Sequence, residues 1–153
     1  MNRRGTATIE AAMALAFIIV PLCLGTADLA LAVTTANRID RALEAALFYL
    51  WANPGNATAG GVQSAAAASW GGNTPPLTVG MSIACSCVSG GYQPAGSVAC
   101  PAAGGTGAGS CPAGQTLATY ATVTAATTVT LPFPLPGMPS AYAPSVSATV
   151  RTQ

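Results

Sequence analysis

The sequence predicts an α+β protein in which one long N-terminal helix packs on a small antiparallel sheet of about three strands. Three observations lead to this fold class. An uncharged apolar run lies near the N-terminus, apolar residues then recur at helical spacing as far as Leu50, and later segments alternate as strands do. With 153 residues, the chain has room for one small domain beside a single long helix.

The apolar run extends from Ala11 to Ala27, between Glu10 and Asp28. As a helix it would cover roughly 26 Å, close to the hydrocarbon thickness of a membrane. Two arginines precede the run and no basic residue follows it closely, so the positive-inside rule places the N-terminus in the cytoplasm. The sequence therefore predicts a single-pass membrane span over about residues 9–30.

A cleaved secretory signal is the alternative interpretation of this segment. The tripeptide Ala30-Leu31-Ala32 has the small-residue pattern of a cleavage site. However, the apolar run is longer than the hydrophobic region of most signal peptides, and such a peptide would be uncharged at the positions of Glu10 and Asp28. These features favour a retained span.

Helical periodicity continues beyond the span and forms one apolar stripe on the helix. The stripe contains Ile39, Ala42, Leu43, Ala46, Leu47 and Leu50. Asn53-Pro54-Gly55-Asn56 then combines a proline with turn-forming residues and ends the helix. We therefore expect a helix within residues 6–55 and an exported, β-rich domain over residues 56–153.

The exported domain shows one helical segment and three strand-like segments. Val62–Trp70 predicts a short helix that ends at Gly71-Gly72. Alternating or Thr- and Val-rich patterns predict strands, and the proline-rich segment 132–137 must be a connection, because proline cannot donate to a ladder. The predicted strands are Val79–Cys87, Thr119–Leu131 and Ser145–Arg151.

The chain contains five cysteines, one of them inside the apolar run. Cys23 is interpreted as a small apolar residue of that run. The other four lie in the exported part, where the compartment favours disulfides, and a bridge between the strand neighbours Cys85 and Cys87 would be strained. We expect these two cysteines to pair with Cys100 and Cys111, with the connectivity left open. A four-cysteine zinc site is the alternative, although no pair has the usual short spacing.

Charge is scarce and unevenly distributed. Only 6% of the residues are charged, and the stretch from Ala45 to Val150 has no charged residue. The chain has no histidine, and its acidic residues all lie in the N-terminal helix, so we expect no enzymatic activity, no cofactor and no metal site. The small net charge of +1, without a basic cluster, argues against nucleic acid as a partner.

The N-terminal residues resemble a known processing signature. Residues 3–10 read Arg-Arg-Gly-Thr-Ala-Thr-Ile-Glu, and the Gly-x₄-Glu pattern stands directly before the apolar run. Four further parts of the chain share in the resemblance: Asp28, the segment Asn37-Arg38-Ile39-Asp40-Arg41-Ala42, the stretch from Val123 to Pro132, and Ser147–Arg151. With the N-terminal signature, they resemble the TadE-like pseudopilins of the tight adherence (Flp) pilus machinery and their TadF and TadG relatives. The resemblance covers both ends of the chain and leaves the middle unmatched.

This resemblance implies a function and a set of partners. A prepilin peptidase would remove residues 1–5 as a leader, with cleavage between Gly5 and Thr6, and Glu10 would serve in assembly. The chain would be a minor pilin or pseudopilin of the bacterial inner membrane, with its C-terminal domain in the periplasm or outside the cell. Its partners would be the membrane, the peptidase and other pilin subunits. The alternative is a membrane-anchored, adhesin-like envelope protein that never enters a fibre.

Overall fold

A computed structural model describes residues 3–54, 56–72, 74–89, 94–100, 111–133 and 139–152, with the backbone alone described for residues 3–8 and 94–97. The α+β fold class predicted from the sequence is confirmed. In chain order the elements are α1 (Arg3–Ala52), α2 (Ala59–Trp70), β1 (Leu77–Val88), β2 (Pro94–Val98), β3 (Thr116–Thr127), β4 (Val129–Thr130), β5 (Ala141–Tyr142) and β6 (Ser145–Arg151).

Helix α1 changes its surroundings halfway along its length. Its 50 residues correspond to a rod of about 75 Å, and Pro21 lies within it. The large apolar side chains between Ile9 and Val33 are exposed except for Leu24, which is half-buried, whereas the second half of the helix has one buried stripe. The buried residues are Ile39, Ala42, Leu43, Ala46 and Leu50, as the periodicity predicted, and Leu47 packs against them while only partly buried.

Helix α2 begins three residues earlier than the sequence predicted, because Thr58 caps it. The Thr58 hydroxyl accepts a hydrogen bond from the Gly61 backbone N–H at 3.1 Å, which satisfies a free donor of the first turn. The helix ends at Gly71, whose φ of 72° lies in the left-handed region that glycine adopts without strain. Val62, Ala66 and Trp70 form its buried face against α1 and the sheet.

Arg38 and Trp70 join the two helices at the end of α2. The Arg38 Nη2 atom donates to the Trp70 carbonyl oxygen at 2.7 Å, and the guanidinium carbon lies 4.7 Å from the centre of the indole ring. The indole Nε1 atom in turn donates to the Pro75 carbonyl oxygen at 3.0 Å. These contacts fix the end of α2 and the start of the chain that leads into β1.

The main sheet has four antiparallel strands in the order β2-β1-β3-β6. Met81 lies opposite Val123, and Val123 lies opposite Ala148. All three side chains belong to the face that packs on the buried stripe of α1 and on α2. The opposite face carries hydroxyl side chains, among them Thr122 and Thr149, whose oxygens are 2.8 Å apart.

The sheet differs from the prediction in three respects. The segment predicted as one strand over 119–131 is divided between β3 and β4, because after Thr127 the chain leaves the main sheet and pairs with β5 instead. The edge strand β2 was not predicted, since it is short and begins with a proline. In β1, Ile83 is 53% exposed although it lies on the same face as Met81, and it stays outside the core to which its partner Ala121 on β3 belongs.

Close packing of α1 on α2 gives a test of this arrangement. A Cβ at Gly61 would overlap the phenol ring of Tyr49, whereas a Cβ at Gly60 would meet nothing. Both substitutions raise helix propensity, but only Gly61→Ala overpacks the contact with Tyr49. We therefore expect the free energy of unfolding of Gly61→Ala to be about 1–3 kcal/mol lower than that of Gly60→Ala. Denaturant unfolding of the full chain in detergent, followed by tryptophan fluorescence, measures both. Equal stabilities would contradict the packing described here.

Candidate membrane and assembly surface

The first half of α1 presents a continuous apolar surface. The helix from Ile9 to Ala52 contains an 18-residue window with a mean hydropathy of 2.2, of which only 6% is buried. The helix is long and apolar enough to cross a membrane, although a signal sequence near the N-terminus has the same properties. A core helix of a water-soluble domain would instead be largely covered by protein.

The residues of the predicted processing site lie at the start of this helix. Gly5 and Thr6 are in the first turns of α1, where the backbone alone is described. The Glu10 side chain is exposed on the helix surface, directly before the apolar run. Thr6 and Glu10 are four residues apart, which is about one helical turn, so a new N-terminus at Thr6 would lie near the Glu10 carboxylate.

Asp28 lies at the other end of the apolar run, and the structure gives it a contact that the sequence did not reveal. Its side chain is only 8% exposed, and its Oδ1 atom accepts a hydrogen bond from the Phe133 backbone N–H at 3.4 Å. The contact brings together residues that are 105 positions apart. Two signals in the sequence could have suggested this pairing. One is the carboxylate of Asp28 in an apolar helix, and the other is the proline-rich segment that follows β4.

We call the elements around this contact the membrane-proximal hairpin: β4, β5 and the described residues 131–133 and 139–140 that connect them. Val129 pairs with Tyr142 and Thr130 pairs with Ala141, and the Leu131 N–H donates to the Ser140 carbonyl oxygen at 3.0 Å. The predicted proline-rich connection begins here, and its residues 134–137 lie outside the described part of the chain.

A second exposed apolar feature lies near the C-terminal end of α1. Phe48 and Trp51 are each 66% exposed, and their rings meet edge to face with centroids 6.1 Å apart. Together with Glu44 and Leu47 they line a shallow surface groove. Aromatic residues of this kind are enriched at protein interfaces, and the apolar stripe predicted from the sequence does not include these two.

The end of β1 that is far from the membrane-proximal hairpin carries the disulfides. Cys85 is bonded to Cys100 and Cys87 to Cys111, with Cα–Cα distances of 5.1 and 5.5 Å. The disulfide-stapled loop predicted with the fold class is thus confirmed, and the structure decides the connectivity. Because both sulfur pairs are bonded, these four cysteines offer no thiolate to a zinc ion. Residues 101–110 of the loop lie outside the described part of the chain.

The same end of β1 is more deeply buried than a simple alternation predicts. Ser86 and Val88 are buried together with the two bonded cysteines, so neither face of the strand is exposed at this end. Strand β2 pairs on one side and β3 on the other, with Cys85 opposite both Val98 and Thr119. The cysteines are therefore structural groups that hold the distal loop onto the sheet.

Comparisons with protein-family models, with curated proteins and with solved structures find no match for this chain. Within the described ranges, no group of three or more His, Cys, Asp or Glu side chains is arranged to hold a metal ion. The features that the geometry offers are surfaces: an apolar helix, a hairpin beside it and an aromatic groove.

Removal of one disulfide should destabilise the domain. The loops closed by the two bridges span 15 and 24 residues, so loss of either bridge should cost about 3 kcal/mol through the entropy of the unfolded chain. The double variant Cys85→Ser/Cys100→Ser in the full chain tests this by denaturant unfolding. Cys23 is free and exposed, so Cys23→Ser is the matched control and should leave stability unchanged. An equal decrease in the free energy of unfolding of the two variants would contradict the structural role of the bridge.

Proposed function

We propose that the chain is a membrane-anchored structural subunit of pilin-like architecture, without enzymatic activity. The observation that carries the proposal is the division of α1, whose first half is an exposed apolar rod and whose second half forms the core of a small domain. A helix of this kind anchors the subunit in a membrane before assembly and supplies helix-to-helix contacts within a fibre. Both uses require the same exposed apolar surface.

Within this class, the N-terminal pattern favours a TadE-like pseudopilin or minor pilin of a tight adherence (Flp) pilus. The Gly-x₄-Glu pattern with Gly5 and Glu10 stands at the start of the apolar rod, as processing by a prepilin peptidase would require. The subunit would reside in the bacterial inner membrane, with its N-terminus in the cytoplasm and the α2 and sheet domain exported. Disulfides in that domain are consistent with an oxidising compartment.

Glu10 has a specific part in this proposal. A carboxylate without a partner at the edge of the hydrocarbon is unfavourable. Its free-energy cost is on the order of 1 kcal/mol or more and rises with depth. Cleavage after Gly5 creates an ammonium group on Thr6, about one helical turn away in the same subunit or at a similar depth in a neighbour. Pairing of the two charges offsets the cost and sets the stagger between neighbouring helices, because any other stagger leaves a charge unmatched.

The topology can be tested with reporter fusions. Alkaline phosphatase fused after Trp51 should be active, because it folds only outside the cytoplasm, and a cytoplasmic reporter at the same position should be inactive. The expectation follows from the arginines before the apolar run. The opposite pattern of activities would refute an exported domain.

Processing and assembly can be separated by two substitutions. Gly5→Leu should abolish the decrease in mass that removal of residues 1–5 causes, which mass spectrometry of the isolated protein detects. Glu10→Ala should leave processing intact but prevent incorporation into fibres, because the Thr6 amine loses its partner. Asp40→Ala is the control, since Asp40 is an exposed acidic residue of the exported half of α1 and should be neutral in both assays.

Normal piliation by the Glu10→Ala variant would refute the pairing role. Processing and membrane retention without any fibre that contains the chain would favour the alternative of an anchored, adhesin-like envelope protein.

A further inference from the structure

The membrane-proximal hairpin and α1 enclose an apolar groove of about 400 Å³. On the helix side it is lined by Pro21, Leu22 and Leu29, and on the hairpin side by Leu131, Pro139 and Tyr142. The helix residues of this groove belong to the segment that the sequence predicts to lie in the membrane. An element of the exported domain therefore lies beside the membrane span and not above it.

We propose that the membrane-proximal hairpin lies in the outer interface of the membrane that α1 crosses, and that lipid acyl chains fill the groove between them. This inference rests on the proposed membrane anchoring. It adds a second lipid contact, made by the exported domain, that neither hydropathy nor the processing signature implies.

Depth along the helix is the first argument. Pro21 precedes Asp28 by seven residues, which is about 10 Å of helix. Because hairpin residues line the same groove as Pro21 and Leu22, immersion of α1 as far as Ala27 also brings the hairpin to the level of the lipid. The domain cannot keep this groove in water while the whole apolar run is in the membrane.

The chemistry of the hairpin is the second argument. No charged residue occurs between Ala45 and Val150, so the hairpin takes no charge into the interface. Four of the nine residues 131–139 are prolines, which have no N–H to leave unsatisfied. Within the described residues 131–133, the backbone N–H groups of Leu131 and Phe133 donate to the Ser140 carbonyl oxygen and the Asp28 carboxylate.

The exposed side chains and the one nearby charge agree with this placement. Phe133 and Tyr142 are 45% and 36% exposed, and aromatic rings, tyrosine in particular, are favoured at the interface between membrane and water. Asp28 also lines the groove, but it is only 8% exposed and its carboxylate accepts a hydrogen bond from the Phe133 backbone N–H of the hairpin. Covering this carboxylate lowers the cost of its position at the end of the apolar run.

Lipid is the occupant that the geometry favours over a second protein. The helix wall of the groove is continuous with the exposed apolar surface that α1 presents from Ile9 to Val33. The lipid that surrounds that surface reaches the groove without any further component. A neighbouring copy of the chain would be needed to cover the groove only if the groove were separated from the membrane span.

The test uses the full chain with Cys23→Ala, its disulfides intact, in phosphatidylcholine vesicles that contain acyl-chain nitroxide lipid. An environment-sensitive fluorophore is attached at Phe133→Cys and, in case that position disturbs the hairpin, at Ser140→Cys. Ser147→Cys on the exposed face of β6 is the matched control, and Leu15→Cys reports on the span itself. We expect nitroxide quenching at 133 and 140 to exceed that at 147 at least about twofold, and iodide quenching to show the reverse order.

Each outcome decides the proposal. Quenching by nitroxide at 15 but not at 133 or 140, with iodide reaching both hairpin positions, would overturn the hairpin placement and leave the membrane span intact. Hairpin labels shielded from both quenchers and in contact with labels on another copy would replace lipid by a second subunit. Absence of lipid quenching at all four positions, including 15, would overturn the membrane anchoring together with the inference built on it.

Discussion

The change of environment along α1 is the constraint on which the rest of the structure depends. One helix is exposed and apolar along its first half and packs as part of the protein core along its second half. The domain is organised around the stripe from Ile39 to Leu50, with α2 and the sheet covering it. Because α1 is continuous from Arg3 to Ala52, the apolar run is joined to the domain by helix and not by a flexible linker.

The domain built on that stripe is small and made largely of small side chains. The buried residues that the sheet contributes to the core are alanines and a valine. A core of this size contributes limited hydrophobic stabilisation. Covalent and capping interactions supplement it: the two disulfides at the distal end, the contact of Arg38 with Trp70, and the caps at Thr58 and Gly71. Disulfides are the usual means by which small exported domains offset a limited core.

The two ends of the domain differ in chemistry in a way that follows from their surroundings. The distal end is held by Cys85 and Cys87, whose bridges fasten a glycine-rich loop to the sheet. The proximal end is held by prolines and by the hydrogen bond from Phe133 to Asp28. A proline removes a backbone donor, whereas a disulfide restricts a loop where the hydrophobic core no longer reaches.

The sequence by itself determined the long helix, its apolar run, its buried stripe, α2 and the strands β1 and β6, because each of these depends on local periodicity or on a local stop signal. It also supplied the Gly5 and Glu10 pattern. The division of residues 119–131 between two sheets, the cysteine pairing and the burial of Asp28 were decided only by the tertiary structure. Each of these depends on which distant segment lies alongside, as Phe133 does for Asp28, and residue type and spacing carry no record of such a neighbour.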